Sequence, residues 1–346
     1  MCDTINLHYL ERAIKEVMKM LSQRQEELLK LIVENYIAEA KPVSSKALCE
    51  TMNCSSATVR SEMAALENFG LLLKTHTSSG RVPSDKGYRY YVDNIMKPKE
   101  LTGEDMLKLQ TIFSNNNLVL SDVIIKSMEI VSEITNYTAV VLGPSSAYNK
   151  VAKVEVVPTG ENHFTTLIIT DKGHVENRNM ILDENVSVED IKQTVELINK
   201  LIVGTVLSEV SKVLEYEVKP IIGNYVKQHE TLYNAFYNAF NDFVSKPDIK
   251  VSGTTKLLSE PEFDDAHRIR EILGKFENEN IIKNIKETEE GINVYIGNEN
   301  MIDDDISVIK TYYTKDGDEG TIAIIGPKRM QYDKAEALLK YIKDNI

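Results

Sequence analysis

The amino-terminal hundred residues show the clearest helical spacing of apolar positions. Ser22–Gln25 has the S-x-x-Q pattern of a helix capping box, and apolar residues at helical spacing follow it as far as Pro42. Proline disfavours helix at the residue before it, so the first helix is expected to end there. The pattern then predicts a short helix over Lys46–Met52 and a third helix capped by Ser55 or Ser56.

The third predicted helix is followed directly by a small hairpin. Its inward face is Val59, Met63 and Leu66, spaced i, i+4 and i+7. Gly70 breaks the helix, Leu71 to His76 forms a strand, and Ser78-Ser79-Gly80 supplies a turn. Another helix over Lys86–Met96, capped by Ser84 or Asp85, closes the unit. A helix followed by a hairpin is the DNA-reading half of a winged helix-turn-helix.

The outward face of the third helix suits contact with a major groove. It carries Ala57, Thr58, Arg60, Ser61 and Ala64. Small side chains allow the backbone to approach the bases, and an arginine can pair bidentately with guanine. Arg81 follows the hairpin tip, while Lys86 and Arg89 are placed to lie over phosphates. Any short surface helix could show the same face, so the helix alone leaves both interpretations open.

Net charge separates the chain into two parts. The total of −13 argues against a nucleic-acid partner, but residues 1–96 hold twelve basic and twelve acidic side chains. Residues 97–346 hold 28 basic and 41 acidic side chains and therefore carry all of the net charge. Because screening confines electrostatic effects to about 8–10 Å, local charge at the contact surface matters more than the total.

Length and composition indicate a chain of two or three globular domains. The chain has 346 residues, and no apolar run approaches the roughly 18–20 residues of a membrane span. The first twenty residues carry charges throughout, unlike a secretory signal. Three cysteines make a disulfide framework an unlikely basis for the fold. The expected compartment is the cytoplasm.

The remainder of the chain predicts a mixed helix and strand body beyond Lys97-Pro98-Lys99. Predicted helices cover 104–113, 121–136, 187–203, 206–215, 218–245, 260–279 and 331–346, and predicted strands cover 137–142, 151–157, 164–170, 175–181, 250–258, 292–296, 306–313 and 321–325. The three last strands and the strand at 137–142 could form one antiparallel sheet. Such a division of one sheet suggests a domain with another inserted into it. The aromatic side chains of 218–245 suit a core or an exposed dimer contact.

Several segments closely resemble the heat-inducible transcription repressor HrcA family. The amino-terminal ones are Pro42–Ser45, Ala57–Arg60, His76–Pro83 and Gly87–Asp93, and the later ones are Val251–Gly253 with Pro261–Phe263, Ile296–Asn300 and Ile325–Met330. The resemblance covers the chain from about Leu21 to its last residue and is weakest in the insert.

The resemblance implies an α+β multidomain fold. A winged helix-turn-helix domain would span residues 1–97, with a charged extension over 1–20. A GAF-like antiparallel-sheet domain would span 98–147 and 249–346, with an inserted α/β dimerising domain over 148–248. The implied function is a homodimeric repressor that binds the CIRCE inverted repeat of chaperone operons, with the GroE chaperonin keeping it active. The candidate DNA contacts are Ser45, Lys46, Ser56, Thr58, Arg60, Ser61, His76, Arg81, Lys86 and Arg89.

No constellation in the sequence predicts catalysis or a cofactor. The six histidines show no metal-binding spacing, and Cys49 with Cys54 makes only a weak zinc motif. Asp303-Asp304-Asp305 is expected to be a solvated loop, and Gly297–Asn300 is the best remaining polar cluster. The alternative function is a GAF-type regulator that senses a small molecule. An enzyme with an appended winged helix has no residues to support it.

Overall fold

The computed structural model describes residues 21–75, 80–115, 118, 120–143, 149–182, 186–225, 229–245, 249–263, 265–277, 291–300, 302–315 and 318–346. These residues form two compact units. The first takes residues up to 141 with 250–317 and 321–346, and the second takes 142–249 with 318–320. The three-domain division predicted from the sequence, with its boundary at residue 97, stays a prediction. None of the described helices is long and apolar enough to cross a membrane.

The amino-terminal part of the first unit has the predicted helix and hairpin order. Its elements are α1 (Gln23–Glu39), α2 (Ser56–Asn68), β1 (Leu72–Lys74), β2 (Arg81–Pro83) and α3 (Asp85–Tyr90), which continues as one π-helical turn (Tyr91–Ile95). Ser22 and Gln25 form the predicted capping box of α1. Strands β1 and β2 pair antiparallel, with Leu73 opposite Val82. The predicted pairing of two short strands is therefore confirmed, while residues 76–79, with most of the predicted turn, lie outside the described residues.

The predicted helix over Lys46–Met52 is wrong, because this segment is a run of turns. Its backbone hydrogen bonds mix three-residue and four-residue spacing, as in Ala47 N to Ser44 O and Met52 N to Leu48 O. Asn53 then takes a left-handed conformation with φ 47°. Fewer than a dozen residues separate Pro42 from this turn, too few for a helix to be stable by itself. Leu48 is nevertheless buried, as an inward-facing residue should be.

The rest of the first unit is a sheet with helices. Its elements are α4 (Gly103–Phe113), α5 (Leu120–Thr135), β3 (Thr138–Leu142), β7 (Ile249–Ser252), α10 (Thr254–Leu257), a 3-10 turn (Pro261–Phe263), α11 (Ala266–Glu277), β8 (Ile292–Ile296), a 3-10 turn (Gly297–Glu299), β9 (Ile306–Lys315), β10 (Asp318–Pro327) and α12 (Tyr332–Asn345). The five strands are ordered β7-β3-β10-β9-β8, and β8 pairs antiparallel with β9. The predicted sheet is therefore present, with β7 as an additional strand.

Two long elements predicted for this region are interrupted in the structure. The strand predicted over 250–258 ends at Ser252, where Gly253 starts a helical turn. The helix predicted over 260–279 is divided between the 3-10 turn at Pro261–Phe263 and α11. In both places the residues typical of a strand or of a helix continue past the point where the element ends. The spacing of apolar residues alone therefore does not show where the element is interrupted.

The second unit packs helices against a three-stranded antiparallel sheet. Its elements are β4 (Val151–Gly160), β5 (His163–Thr170), β6 (Val175–Ile181), α6 (Val188–Ile202), α7 (Leu207–Val213), a π turn (Leu214–Val218), α8 (Lys219–Tyr225) and α9 (His229–Ser245). The break predicted between the helices over 206–215 and 218–245 is absent, because α7 continues through the π turn into α8. Residues 226–228 of the helix predicted over 218–245 lie outside the described residues. The wide turn accommodates Pro220, which would otherwise break a regular helix.

The aromatic face of α9 belongs to the core of the second unit. Leu232, Phe236 and Phe240 are fully buried, and Tyr233 is almost so. They pack in one apolar cluster with residues of the sheet such as Val154. Core packing, one of the two interpretations left open by the sequence, is therefore the role of these described side chains.

Candidate DNA-binding surface

Helix α2, the candidate recognition helix, has one buried and one open face. Ser55 caps it by accepting a hydrogen bond from Thr58 N at 3.2 Å. Its inward face is the predicted set Val59, Met63 and Leu66, each at most 2% exposed. Its outward face presents Ala57, Arg60, Ser61 and Ala64, all exposed. Small side chains around one arginine leave room for a groove to approach the helix.

Thr58 and Ser56 are less open than the sequence pattern suggests. The Thr58 hydroxyl lies 2.9 Å from the Ser55 hydroxyl, so it is engaged in the helix cap. The Ser56 hydroxyl lies 3.0 Å from that of Ser45, and Ser45 is buried. Ser45 therefore ties the turn segment to the start of α2, while its neighbour Lys46 is exposed.

The wing is fixed at its base by Arg81. Its Nε and Nη2 atoms lie 2.8 and 2.7 Å from the Glu67 carboxylate of α2, and its side chain is only 12% exposed. Its backbone also pairs with Val43, with both N–H···O bonds at 2.9 Å. Arg81 thus joins the wing, the recognition helix and the segment before it. In this arrangement Arg81 positions the wing, and a phosphate contact by the same side chain stays a prediction.

Helix α3 begins at the base of the wing. Ser84 is its cap, accepting from Gly87 N at 3.0 Å and donating to Gly70 O at 2.6 Å. Gly87 allows α3 to pack closely, since a Cβ there would lie 2.1 Å from Leu71 O. Lys86 in the first turn of α3 is exposed, as a phosphate contact requires.

Arg89 faces the sheet of the first unit in this structure. Its Nη2 atom donates to Val294 O at 2.6 Å and pairs with Glu299, and Nη1 lies 3.2 Å from Asp93. Burial alone lowers the pKa of Arg89, but the hydrogen bond and charge of Glu299 outweigh burial and raise it. The Arg89 guanidinium is therefore a cation that is already paired within the protein. Its predicted phosphate contact stays a prediction.

The site contains residues that sequence reasoning did not select. Lys74 is exposed on β1, directly opposite Arg81 in the hairpin register, so it is a basic side chain of the wing. Its position in the predicted strand was a signal that could have identified it. Glu67, the partner of Arg81, had no such signal because it is an ordinary polar position of an amphipathic helix. His76 lies outside the described residues.

Chemistry other than nucleic-acid binding has little support at the described residues. Cys49 and Cys54 are free thiols, and Cys49 Sγ donates to Ser45 O at 3.1 Å. No group of three or more His, Cys, Asp or Glu among the described residues could hold a metal ion. The residues on the open face of α2 and on the wing can instead offer cations and hydroxyl groups to a duplex.

Comparison with known proteins decides the family. The family model for the winged helix-turn-helix transcription repressor, HrcA DNA-binding, matches residues 20–93. The model for the HrcA protein C terminal domain matches residues 121–335. The chain belongs to the HrcA family. It is therefore a transcription repressor with a DNA-binding winged helix, and it is not an enzyme.

Individual HrcA proteins match along nearly the whole chain. The heat-inducible transcription repressor HrcA of Lysinibacillus sphaericus is 37% identical over 330 residues, covering 94% of this chain and 96% of its own length. That of Bacillus pumilus (strain SAFR-032) is 34% identical over 333 residues, covering 94% and 97%. A crystal structure of a hypothetical protein matches with a TM-score of 0.65 at 24% identity, covering 94% of this chain and 97% of that chain. This structure supports the fold alone.

Proposed function

We propose that this chain represses heat-shock chaperone operons by binding the CIRCE inverted repeat as a dimer, and that the GroE chaperonin modulates its activity. The observation that carries the proposal is the open face of α2 beside the wing. Arg60 and Ser61 are exposed there, and, within the part of the chain described, Arg60 forms no ion pair. The names of the relatives support heat-inducible repression. The operator and the chaperonin are what the resemblance of the sequence motifs to the HrcA family implies, and they are part of the proposal.

The exposure of each candidate side chain decides which role in DNA binding we assign to it. Arg60 and Ser61 lie on the recognition helix and would read base edges in the major groove. Thr58, Ser56 and Ser45 would support the start of that helix through their hydroxyl contacts. Lys46, Lys74 and Lys86 are exposed and would contact phosphates without specifying sequence.

The remaining domains would determine when and how the winged helix is presented. We propose that the sheet β7-β3-β10-β9-β8 is the GAF-like domain, supported by its helix-flanked arrangement. The second unit would be the inserted dimerising domain, supported by its own continuous core. An inverted repeat has two-fold symmetry, which a dimer matches with one recognition helix for each half-site. Occupying the operator would exclude the polymerase.

The chaperonin would couple repression to the folding state of the cell. It would maintain the active repressor until heat-unfolded client proteins occupy it. Active repressor would then fall, and the chaperone genes would be expressed. The whole cycle is expected to take place in the cytoplasm.

A small-molecule sensor is less well supported by the cavities of the described residues. A cavity of about 450 Å³ is lined by Arg268, Glu271, Lys275, Ile302 and the three aspartates 303–305. Ligand sites are usually apolar with a few polar groups, whereas these charged side chains are paired with each other. The charged pairs that line this cavity therefore do not favour the alternative.

A gel shift on the inverted repeat tests the proposal. The purified protein should form a specific complex that survives unlabelled competitor DNA, and added GroE chaperonin should increase the fraction of protein that binds. Binding to a scrambled repeat with equal affinity would contradict operator recognition. An operator complex that does not respond to chaperonin would contradict the modulation alone.

A further inference from the structure

The winged helix contacts the sheet of the first unit through two segments that lie outside the winged helix itself. One is Ile296–Asn300, at the end of β8 and in the 3-10 turn after it, and the other is Ile325–Met330, at the end of β10 and in the turn after it. Glu299 from the first segment pairs with Arg89, and Lys328 from the second pairs with Asp85. Both partners lie in α3, the helix that follows the wing. The two segments therefore form part of the surface against which the winged helix packs.

Arg89 makes the first of these contacts with several donors at once. Its Nε atom lies 3.2 Å from Glu299 Oε1, and its Nη2 atom bonds both Glu299 Oε2 and Val294 O. Glu299 is itself held, because its Oε2 accepts from Ile296 N at 2.9 Å. A planar guanidinium bound by a carboxylate and a carbonyl has a defined direction as well as a charge. This contact therefore restricts the orientation of α3 against β8.

Lys328 makes the second contact. Its Nζ atom lies 2.8 Å from Asp85 Oδ1, and its backbone N–H donates to Asp305 O at 2.8 Å. Gly297 makes room for Asp85: with φ +54°, a Cβ there would lie 2.6 Å from Asp85 Oδ2. The turn is thus shaped to accept the first residue of α3, and a side chain at 297 would clash with it.

Arg329 makes the third contact, with the end of α1. Its Nη1 atom donates to Ile37 O at 3.3 Å, where a cation also complements the negative end of the helix dipole. Glu262 and Glu260 hold the same guanidinium at 2.5 and 2.6 Å, and the Arg329 side chain is only 12% exposed. A second helix of the winged-helix part is therefore fixed to the sheet.

Apolar packing joins the same two parts. Leu28, Val59 and Tyr88 of the winged helix belong to one buried cluster with Ile296 and Tyr332 of the sheet and α12. The Tyr88 and Tyr332 ring centroids are 6.0 Å apart. Polar contacts restrict orientation around this continuous core, because hydrogen bonds depend on angle whereas apolar burial is non-directional.

We infer that Glu299, Lys328 and Arg329 are positioning residues that fix the winged helix on the sheet and thereby set the spacing at which a dimer meets its two half-sites. In this proposal Arg89 serves the contact with the sheet instead of its predicted phosphate contact, and the effect on half-site spacing rests on the proposed dimeric operator binding. Two linked modules gain affinity when their geometry matches both targets, and they lose that gain when the geometry is loose. The orientation of α2 therefore determines discrimination between an intact repeat and a single half-site.

Two variants with opposite changes of charge test this role. Glu299→Gln removes a negative charge and Lys328→Gln removes a positive charge, each at the contact with α3. The full-length dimer should be titrated with the intact inverted repeat and with a duplex that carries one half-site. Both variants should lower the ratio of the two affinities by about tenfold, because the benefit of simultaneous binding is lost. Affinity for the half-site should rise slightly for Glu299→Gln and fall slightly for Lys328→Gln. Removing a negative charge strengthens the attraction of the protein to any DNA, and removing a positive charge weakens it.

The exposed pair between Glu104 and Lys108 of α4 provides matched controls. Its atoms are 2.8 Å apart and its side chains are 76% and 48% exposed. Glu104→Gln and Lys108→Gln change the same charges away from the contact, so both should keep the wild-type ratio. An unchanged ratio in Glu299→Gln or Lys328→Gln would overturn the positioning role. A higher ratio in Glu299→Gln would also overturn it, since the contact would then oppose operator binding.

Amide hydrogen exchange gives a readout that does not depend on DNA. In Glu299→Gln and Lys328→Gln, exchange should become faster in α3 and β8 than in the wild type, while β4 and β5 of the second unit stay protected. Unchanged exchange in α3 would overturn the role. A wild-type protein that fails on the inverted repeat would contradict the proposed function, and the exchange result would still decide whether these residues hold the winged helix.

Discussion

Arg60 and Lys86 are both exposed cations of the winged helix, but their places predict different contributions to DNA binding. Arg60 lies on the open face of α2 between small side chains. Lys86 lies in the first turn of α3, with its Cδ atom near Gly70 beyond the end of α2. The first place suits a base edge and the second suits the DNA backbone.

For Arg60→Ala we predict a loss of sequence preference. A bidentate contact to guanine contributes about 1–3 kcal/mol of discrimination, so the preference for the operator over a scrambled duplex should fall by about that amount for each half-site. Titration of both duplexes at one salt concentration measures the change. Circular dichroism should show that the variant remains folded, because Arg60 is exposed. Full retention of the preference would place base reading elsewhere.

Lys86→Ala is the matched comparison. Loss of one phosphate contact in each protomer should weaken binding to all sequences and reduce the slope of log affinity against log salt by about two for the dimer. Sequence preference should remain. If Lys86→Ala and Arg60→Ala lose equal amounts of preference, the division of roles between the two cations is wrong.

At the same scale, the sequence could predict which side chains are cationic but not which cations are already paired. The exposed face of α2 follows from helical spacing alone. Glu67, however, lies 14 residues from Arg81, and Glu299 lies 210 residues from Arg89. Such contacts depend on tertiary packing, which no local period encodes. Ser45 similarly looks like a surface hydroxyl in the sequence and is buried in the structure.

Among the elements, helix and strand types were predictable wherever one face is apolar. The period identifies α1, α2, α5 and the strands of both sheets, because burial of one face imposes it. The breaks were less predictable. The predicted break between 215 and 218 is replaced by a π turn before Pro220, and Leu48 faces inward from a segment whose hydrogen bonds mix three-residue and four-residue spacing.

The acidic loop between the turn Gly297–Glu299 and β9 is a further element that the sequence misjudged. It was expected to be a solvated loop, yet Asp303 is buried and pairs with Arg268 and Lys275 of α11. Asn300 orders the loop by accepting from Ile302 N at 2.7 Å and Asp303 N at 2.9 Å. The basic partners lie about thirty residues earlier, so the acidic run gave no sign of them.

The pKa of Asp303 leads to a prediction for acid stability. Burial by itself raises this pKa, but hydrogen bonds from Lys275 and Asp305 N, with the charge of Arg268, lower it below its ordinary value. The unfolded chain therefore binds more protons near the ordinary value, about pH 4. The resulting stability is fully present above that pH and is lost as the pH falls through the folded-state pKa.

For Asp303→Asn we predict a lower free energy of unfolding at pH 7, by about 1–3 kcal/mol, because a hydrogen-bonded charge is lost. We also predict a flatter decline of stability below pH 4. Urea unfolding at pH 7 and at several acidic values measures both effects. Asp304→Asn is the control, since Asp304 is exposed in the same loop. An acid decline equal to that of the wild type would contradict the assigned role of Asp303.

On the scale of the whole molecule, the distribution of charge along the chain makes a negative net charge compatible with a DNA partner. The chain carries −13 overall, but its first 96 residues are neutral and include the exposed cations of the wing and recognition helix. The acidic excess lies beyond residue 96 and would oppose non-specific binding to DNA. Sequence-specific contacts must then supply more of the discrimination, which is appropriate for a repressor of a defined operator.

We propose that a dimer places one recognition helix on each half of an inverted repeat. Hydroxyl-radical footprinting of the wild-type protein on the operator tests it most directly. We predict two symmetric protected segments, one in each arm of the repeat. They should lie on the same side of the duplex and be separated by about one helical turn or a multiple of it. A single protected arm, or equal protection of a scrambled repeat, would contradict it.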